Sequence, residues 1–375
     1  KLVVDGFEVE NFMAVCRAGA RPGALNVIAG ANGSGKTSLL EALYIALGNR
    51  KLPQKFMENP AGVIRAGAKK AIVSVELSGS KARLEIFKPE ADAVRRALAD
   101  ELLKGVEFLS QTKDRTRGLG ATLGKALADG SALREIARVM SSEVFADALQ
   151  NVLETTAAWS DGSATRYFKG WAYEGFYADA LAFVLAQLTG NPRHEVQGLA
   201  FYAQSALDPE EPEDNGVLYV ENPLAELKRL EGEELVAFEV QRALLEEKLV
   251  PGLERFSFRA LVFKGRRAVP LELMGAGFAS LASLLGAVST LKEGSVLLLD
   301  NPLAHMDARY SEVFVRRLSK ALKEKRAQAF MTAGNRGALE AVKRAGEEAR
   351  VVFLEKKGDC SAGEEVGVEE ALARL

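Results

Sequence analysis

With 375 residues and 48% apolar content, the chain can bury a sizeable core as one large domain or two ordinary ones. The 49 Lys and Arg nearly balance the 51 Asp and Glu, and a net charge of −2 sets up no global field for nucleic acid, so any DNA contact falls to a local patch. No apolar run approaches the ~18 residues of a membrane span and no signal-peptide pattern opens the chain, while Cys16 and Cys360 form no metal spacing; these features predict a soluble, reduced, cytoplasmic protein with two free thiols.

The first 30 residues read as strand, loop, strand: KLVVDGFEVENF, then ALNVIAG, ending at Gly30. KTSLLEALYIALG follows with apolar residues at helical spacing from Leu39 through Leu43 to Leu47, and Gly48 lies where a helix C-cap belongs. Residues 71–88 alternate apolar and polar about a Ser-Gly-Ser turn, which predicts an antiparallel hairpin with one solvated face. From about 90 to 205 the pattern is mostly helical. DPEEPEDNG, 208–216, is free of apolar side chains and reads as a surface loop or linker. An amphipathic helical stretch then runs to Pro251, too short for a long coiled-coil arm. The last third alternates again: a strand near 258–263, a helix from about 277, SVLLLD, a helix over RYSEVFVRRLSKALKEK, AQAFMT, a helix over 336–346, and RVVFLE. That order predicts a parallel, doubly wound sheet. No repeat of fixed period is visible.

GANGSGKT, Gly30 to Thr37, meets every fixed position of G-x-x-x-x-G-K-[ST], between a predicted strand and a predicted helix. Gly30, Gly33 and Gly35 permit the tight turn that aims backbone N–H groups at phosphate oxygens, and the helix N-terminus adds its positive end. Asn32, Ser34 and Ser38 belong to the same stretch. Lys36 is placed to reach the β- and γ-phosphates of ATP. Thr37 offers a hydroxyl to Mg²⁺, and Asp300, ending the apolar run LLLD, is the second metal-side candidate.

Together, FEVENFMAV, ALNVIAGANGSGKTSLLEAL and VIRAGAKKAIVSVEL resemble the opening of RecF, structural-maintenance-of-chromosomes (SMC) and related ATPases, the ABC-type heads of DNA-repair and chromosome proteins. The stretch ELMGAGFASLASLLGAV, followed by SVLLLDNPLAHMD and AFMTAGN, resembles the C-terminal half of such heads. The resemblance implies an α/β phosphate-loop NTPase of ABC-head type: a mixed and parallel sheet, an antiparallel β arm and a helical insertion. On this reading residues 1–115 are the N-terminal part of the nucleotide-binding head, 116–215 the insertion and 216–375 the C-terminal part. It also implies a nucleotide-dependent homodimer in which the signature segment Met274–Gly277, with Gly275 and Gly277, meets the partner's nucleotide. Asp307 falls at the D-loop aspartate. Gln111 in FLSQTKD is a candidate Mg-sensing glutamine, with a surface glutamine after a strand as the alternative. LSGS, 77–80, imitates the signature tetrapeptide but sits in the predicted hairpin turn.

Three positions depart from that family's pattern. Met274 or Ala276 stands where a signature serine is expected, Asn301 where a glutamate base is expected, and Gly334 where a histidine is expected. Asn301 carries no charge at neutral pH and is no general base. His305, four residues on, is the candidate to stand near the attacking water, against a capping or interface role. The combination predicts a slow or impaired ATPase acting as a dimerisation switch in DNA- or chromosome-related work, with DNA or a DNA-associated protein as partner. The alternative is an inactive nucleotide-binding scaffold. SATRYFKGWAYEGFYADALAF, 163–183, reads as a helical-domain core in preference to a base-stacking surface. KGRR, 264–267, reads as a hairpin turn, and RRLSKALKEKR, 316–326, as a solvated basic helix face.

Overall fold

A computed structural model of the chain describes every residue except 1–2, 49, 113–117, 209–214 and 266. Residues 209–214 of the predicted linker therefore lie outside the described residues. In chain order the structure runs β1 (Val4–Phe12), β2 (Val15–Ala20), β3 (Leu25–Gly30), α1 (Lys36–Leu47), β4 (Lys70–Leu77) and β5 (Ser80–Phe87). Next come α2 (Ala91–Gln111), α3 (Leu119–Ala128), α4 (Ser131–Ser141), α5 (Ala146–Thr155), β6 (Ala157–Ser160), β7 (Thr165–Phe168), α6 (Trp171–Thr189) and α7 (Arg193–Leu207). Then follow β8 (Val217–Val220), α8 (Glu226–Leu230), α9 (Glu234–Glu246), β9 (Leu253–Phe256), β10 (Ala260–Phe263), β11 (Ala268–Pro270) and α10 (Ala276–Ser289). The chain ends with β12 (Val296–Leu299), α11 (Ala308–Lys325), β13 (Gln328–Ala333), α12 (Arg336–Arg344), β14 (Arg350–Lys357), β15 (Cys360–Val366) and α13 (Val368–Arg374).

Two compact units result, one of Lys1–Lys51, Ala71–Leu84 and Asp214–Leu375, the other of Leu52–Lys70 and Glu85–Glu213. The first α-helix of the second unit starts at Ala91, where the helical pattern of the sequence begins.

In the first unit the strand order is β4-β1-β2-β15-β14-β3-β13-β12-β8. β14, β3, β13, β12 and β8 are parallel to one another, and β4, β1 and β2 form an antiparallel arm. Every residue of β3, β12 and β13 is buried, because helices cover both faces of a parallel sheet; this is why these strands read as unbroken apolar runs. Leu25, Val27, Leu297, Leu299, Phe314 and Met331 lie in the common core. α10 is buried along most of its length, from Phe278 to Val288, as expected of a helix apolar on all sides. β10 and β11 pair antiparallel from Ala260–Pro270 to Val262–Ala268, on either side of the basic run expected to turn, in which Arg266 lies outside the described residues.

The second unit is built on the apolar stripe Val94, Leu98, Leu102, Val106 and Leu109 of α2, packed in one cluster with Tyr173, Phe176, Tyr177 and Leu181 of α6. The aromatic segment 163–183 thus contributes mainly core, while Trp171 keeps 55% of its surface exposed.

The two cysteines are not free. Cys16 of β2 is disulfide-bonded to Cys360 of β15, with Cα atoms 5.5 Å apart, because β15 lies parallel to β2. Proximity in the sheet, hidden by 344 residues of sequence separation, overrides the expectation of two reduced thiols and removes the basis for inferring a reducing compartment. Among the described residues no helix is long and apolar enough to cross a membrane. Alkylation under denaturing, non-reducing conditions is expected to label neither cysteine, and Cys16→Ser should lower the unfolding free energy by about 2–5 kcal/mol. Full labelling of both thiols in fresh protein would contradict the pairing.

Candidate functional site

Three parallel strands bring their C-terminal ends to one edge: β3 ends at Gly30, β13 at Ala333 and β12 at Leu299. Ala29 pairs with Ala333 and Leu299 with Met331, so the loops leaving these strands are neighbours. In such sheets that edge is where ligands sit.

The loop from Gly30 to Gly35 is held by features that only glycine permits at two places. A Cβ on Gly30 would come within 2.5 Å of both the Leu354 carbonyl and Ser34 Oγ, and Gly35 has φ 86° as it opens α1. No side chain caps that helix start, which leaves its first N–H groups directed at whatever occupies the loop. Ser34 is buried, and its hydroxyl has no hydrogen-bond partner. Lys36 Nζ donates to the carbonyls of Gly30 (2.9 Å) and Ala31 (2.8 Å). Burial pushes the Lys36 ammonium below its ordinary pKa, and the charge of Asp300 works in the opposite direction.

Asp300 receives two hydroxyls. Thr37 Oγ1 lies 3.1 and 3.2 Å from its two carboxylate oxygens, and Thr332 Oγ1 donates to Oδ1 at 2.8 Å. The same Thr332 oxygen accepts the N–H of Asn301 at 2.6 Å. Asn301 has φ 46°, a left-handed conformation that asparagine tolerates better than most residues. A Cβ added at Gly334 would lie 3.7 Å from Asn32 Oδ1 and 4.0 Å from both Asn301 Oδ1 and Lys36 Cε. Asn32, Lys36, Asn301 and Gly334 therefore surround one point, with room there for a larger side chain.

Gly275, Gly277 and His305 form a neighbouring feature. Gly275 (φ 91°) caps the start of α10, and a Cβ on Gly277 would lie 2.6 Å from the His305 carbonyl. The signature segment thus rests on the turn after Asp300, and Asp307 caps α11 through Tyr310 N–H (2.8 Å). The His305 side chain is exposed. Buried Ser38 lies on α1 just past the loop.

Gln111 is the exposed last residue of α2, in the second unit, and ends a helix, not a strand. On the side of β12 away from β13 lies β8, paired in register from Val296–Val217 to Leu299–Val220, with Asp300 N–H donating to Val220 O at 3.0 Å. Glu221-Asn222-Pro223-Leu224-Ala225 consequently runs on from β8 as Asp300-Asn301-Pro302-Leu303-Ala304 runs on from β12. The shared segment has no fixed period along the chain and becomes visible as a repeat only when β8 and β12 are set side by side. Below it, Tyr219 stacks on Tyr44 at 4.8 Å; burial, with Glu41, Glu221 and Asp300 nearby, pushes the Tyr219 phenol pKa well up. Among the described residues, no group of three or more His, Cys, Asp or Glu side chains is arranged to hold a metal ion. Any metal here would rest on hydroxyl and carboxylate oxygens together with its own ligand.

An AAA-domain family model matches residues 11–154, and a second AAA-domain model, described with the AbiEii toxin of a type IV TA system, matches 154–332. No curated protein matches the chain. Among solved structures, the SMC head domain from Thermotoga maritima is similar at 13% identity and a TM-score of 0.48, covering 97% of this chain and 99% of that one. An SmcHead bound to the C-winged helix domain of ScpA is similar at 14% and 0.49, covering 99% of each chain. The Smc head domain from Pyrococcus furiosus, with an extended coiled coil and bound to the C-terminal domain of ScpA, is similar at 14% and 0.46, covering 100% of this chain and 98% of that one. Consecutive AAA-domain matches over residues 11–332, with a phosphate loop set beside an aspartate-ended parallel strand, identify the chain as an AAA-domain phosphate-loop protein.

Proposed function

We propose that this head binds ATP with Mg²⁺ and hydrolyses it slowly, acting as a nucleotide-dependent clasp between two copies in DNA- or chromosome-related work. The observation that carries the reading is the contrast within one strand end. Asp300 is oriented by two hydroxyls, whereas the next residue is a neutral amide. The residues present fit the nucleotide: an orphaned Ser34 hydroxyl, an uncapped helix start, and a lysine pointed into its own loop. Thr37 and Asp300 are hard oxygen donors of the kind Mg²⁺ takes alongside phosphate and water. When bound, the metal would neutralise charge on the phosphates. Lys36 would exchange its loop carbonyls for phosphate oxygens, and the N–H groups of Gly33 to Thr37 would orient the chain of phosphates.

The attack side is where chemistry is weakened. Neither Asn301 nor Gly334 can take a proton from water, and losing general-base help costs about 10²–10⁴ in rate. The same two residues favour the second reading, a nucleotide-binding scaffold without turnover. The two-copy clasp is supported by the residue just before the signature segment: Leu273 keeps 72% of its surface exposed, and such apolar surface suits a second copy or a DNA-associated partner.

Lys36→Ala is expected to weaken ATP binding at least tenfold by equilibrium titration, with folding unchanged; a wild type that binds no nucleotide sinks the proposal. Sedimentation with and without Mg-ATP should show dimers only with nucleotide. Asn301→Glu should raise steady-state phosphate release by about 10²-fold while costing about 1–2 kcal/mol of stability for a left-handed glutamate. A wild type that binds ATP but gives no release above the Lys36→Ala background would favour the scaffold.

A further inference from the structure

We infer that Thr332 is the positioning residue of the nucleotide site, its single hydroxyl setting both the metal-side carboxylate of Asp300 and the backbone turn at Asn301; this rests on the ATP-binding reading above. Thr332 is 3% exposed and lies on β13, the strand between β3 and β12. It follows Met331, which pairs with Leu299, and itself pairs with Ile28 of the strand that carries the phosphate loop. No other residue of β13 is polar and adjacent to both strand ends: Ala329, Phe330, Met331 and Ala333 are apolar.

A hydroxyl can donate once and accept twice, and this one is used in both senses. Its proton goes to Asp300 Oδ1 at 2.8 Å, and its lone pair takes the Asn301 N–H at 2.6 Å. Oδ1 thus receives hydroxyls from α1 and β13, while Oδ2 has only the longer Thr37 contact of 3.2 Å. The carboxylate plane is fixed with its less occupied oxygen left for a metal ion. The N–H bond holds Asn301 in the left-handed conformation that brings its amide towards Gly334 and Lys36. Valine has nearly the shape of threonine but offers neither bond, leaving a backbone N–H without its acceptor and a carboxylate with one donor fewer.

The test is calorimetric titration with ATP, in Mg²⁺ and in EDTA, on wild type, Thr332→Val and Thr332→Ser, with unfolding curves alongside. Thr332→Val should weaken Mg-dependent binding roughly tenfold, the scale of one hydrogen bond to a charged group, and leave binding in EDTA within about twofold. Thr332→Ser should restore the Mg-dependent affinity, since it keeps the hydroxyl. Equal losses in Mg²⁺ and EDTA, wild-type affinity in Thr332→Val, or failure of serine to rescue would each overturn the inference. Should Thr332→Val not fold, a Mg-dependent affinity in Thr332→Ser more than about tenfold below wild type overturns it, and one within about twofold supports it. A wild type that binds no ATP fails the function reading itself, whereas a binding wild type with an indifferent Thr332→Val fails this inference alone.

Discussion

A carboxylate at the end of a buried strand is costly unless donors surround it, and Asp300 solves that problem with two threonine hydroxyls drawn from different elements. The solution requires α1, β12 and β13 to arrive together. α1 is placed by the loop that leaves β3, and β3 in turn is locked between β13 and β14. The geometry around Asp300 is therefore a readout of the assembled sheet, which no local stretch could build. It also divides the site in two. Around Asp300 the polar groups hold one another, while beside Gly334 there are only a neutral amide and a glycine.

Much of this was legible in the chain. The phosphate loop announces itself because its function constrains the backbone, which leaves glycines at fixed spacing. β3, β12 and β13 read as strands because burial on both faces makes them uniformly apolar. That Gln111 ends a helix was also present in the sequence: Val94, Leu98, Leu102, Val106 and Leu109 keep helical spacing right up to it. Other features had no such signature. β15, CSAGEEV, lacks apolar alternation and is a strand because β14 and β2 flank it. Thr332 is one polar residue in an apolar run, and only the pairing with β12 gives it meaning. The disulfide was out of reach for the same reason, since a contact across 344 residues leaves no local trace.

The neighbouring turns after β8 and β12 show how the same residues can be used differently. Asn222 has extended φ of −139° and caps the short turn that follows through Leu224 N–H, whereas Asn301 is left-handed and gives its N–H to Thr332. Sequence similarity in the two segments therefore does not carry over to conformation. What separates them is position: β12 is flanked by β13 on one side, and β8 ends the parallel series.

The pairing of β3 also bears on the order in which the site comes into being during synthesis. Asn26 of β3 donates its side-chain amide to Ala329 O, 303 residues later, and both strands that flank β3 belong to the last part of the chain. The phosphate loop is synthesised well before β13 and β14, and the strand that aims it lacks these partners until they have followed. Closing so long a loop is entropically slow. The edge that carries the phosphate loop is consequently expected to form only after the segment of the helical unit, which can fold on local contacts, has been made.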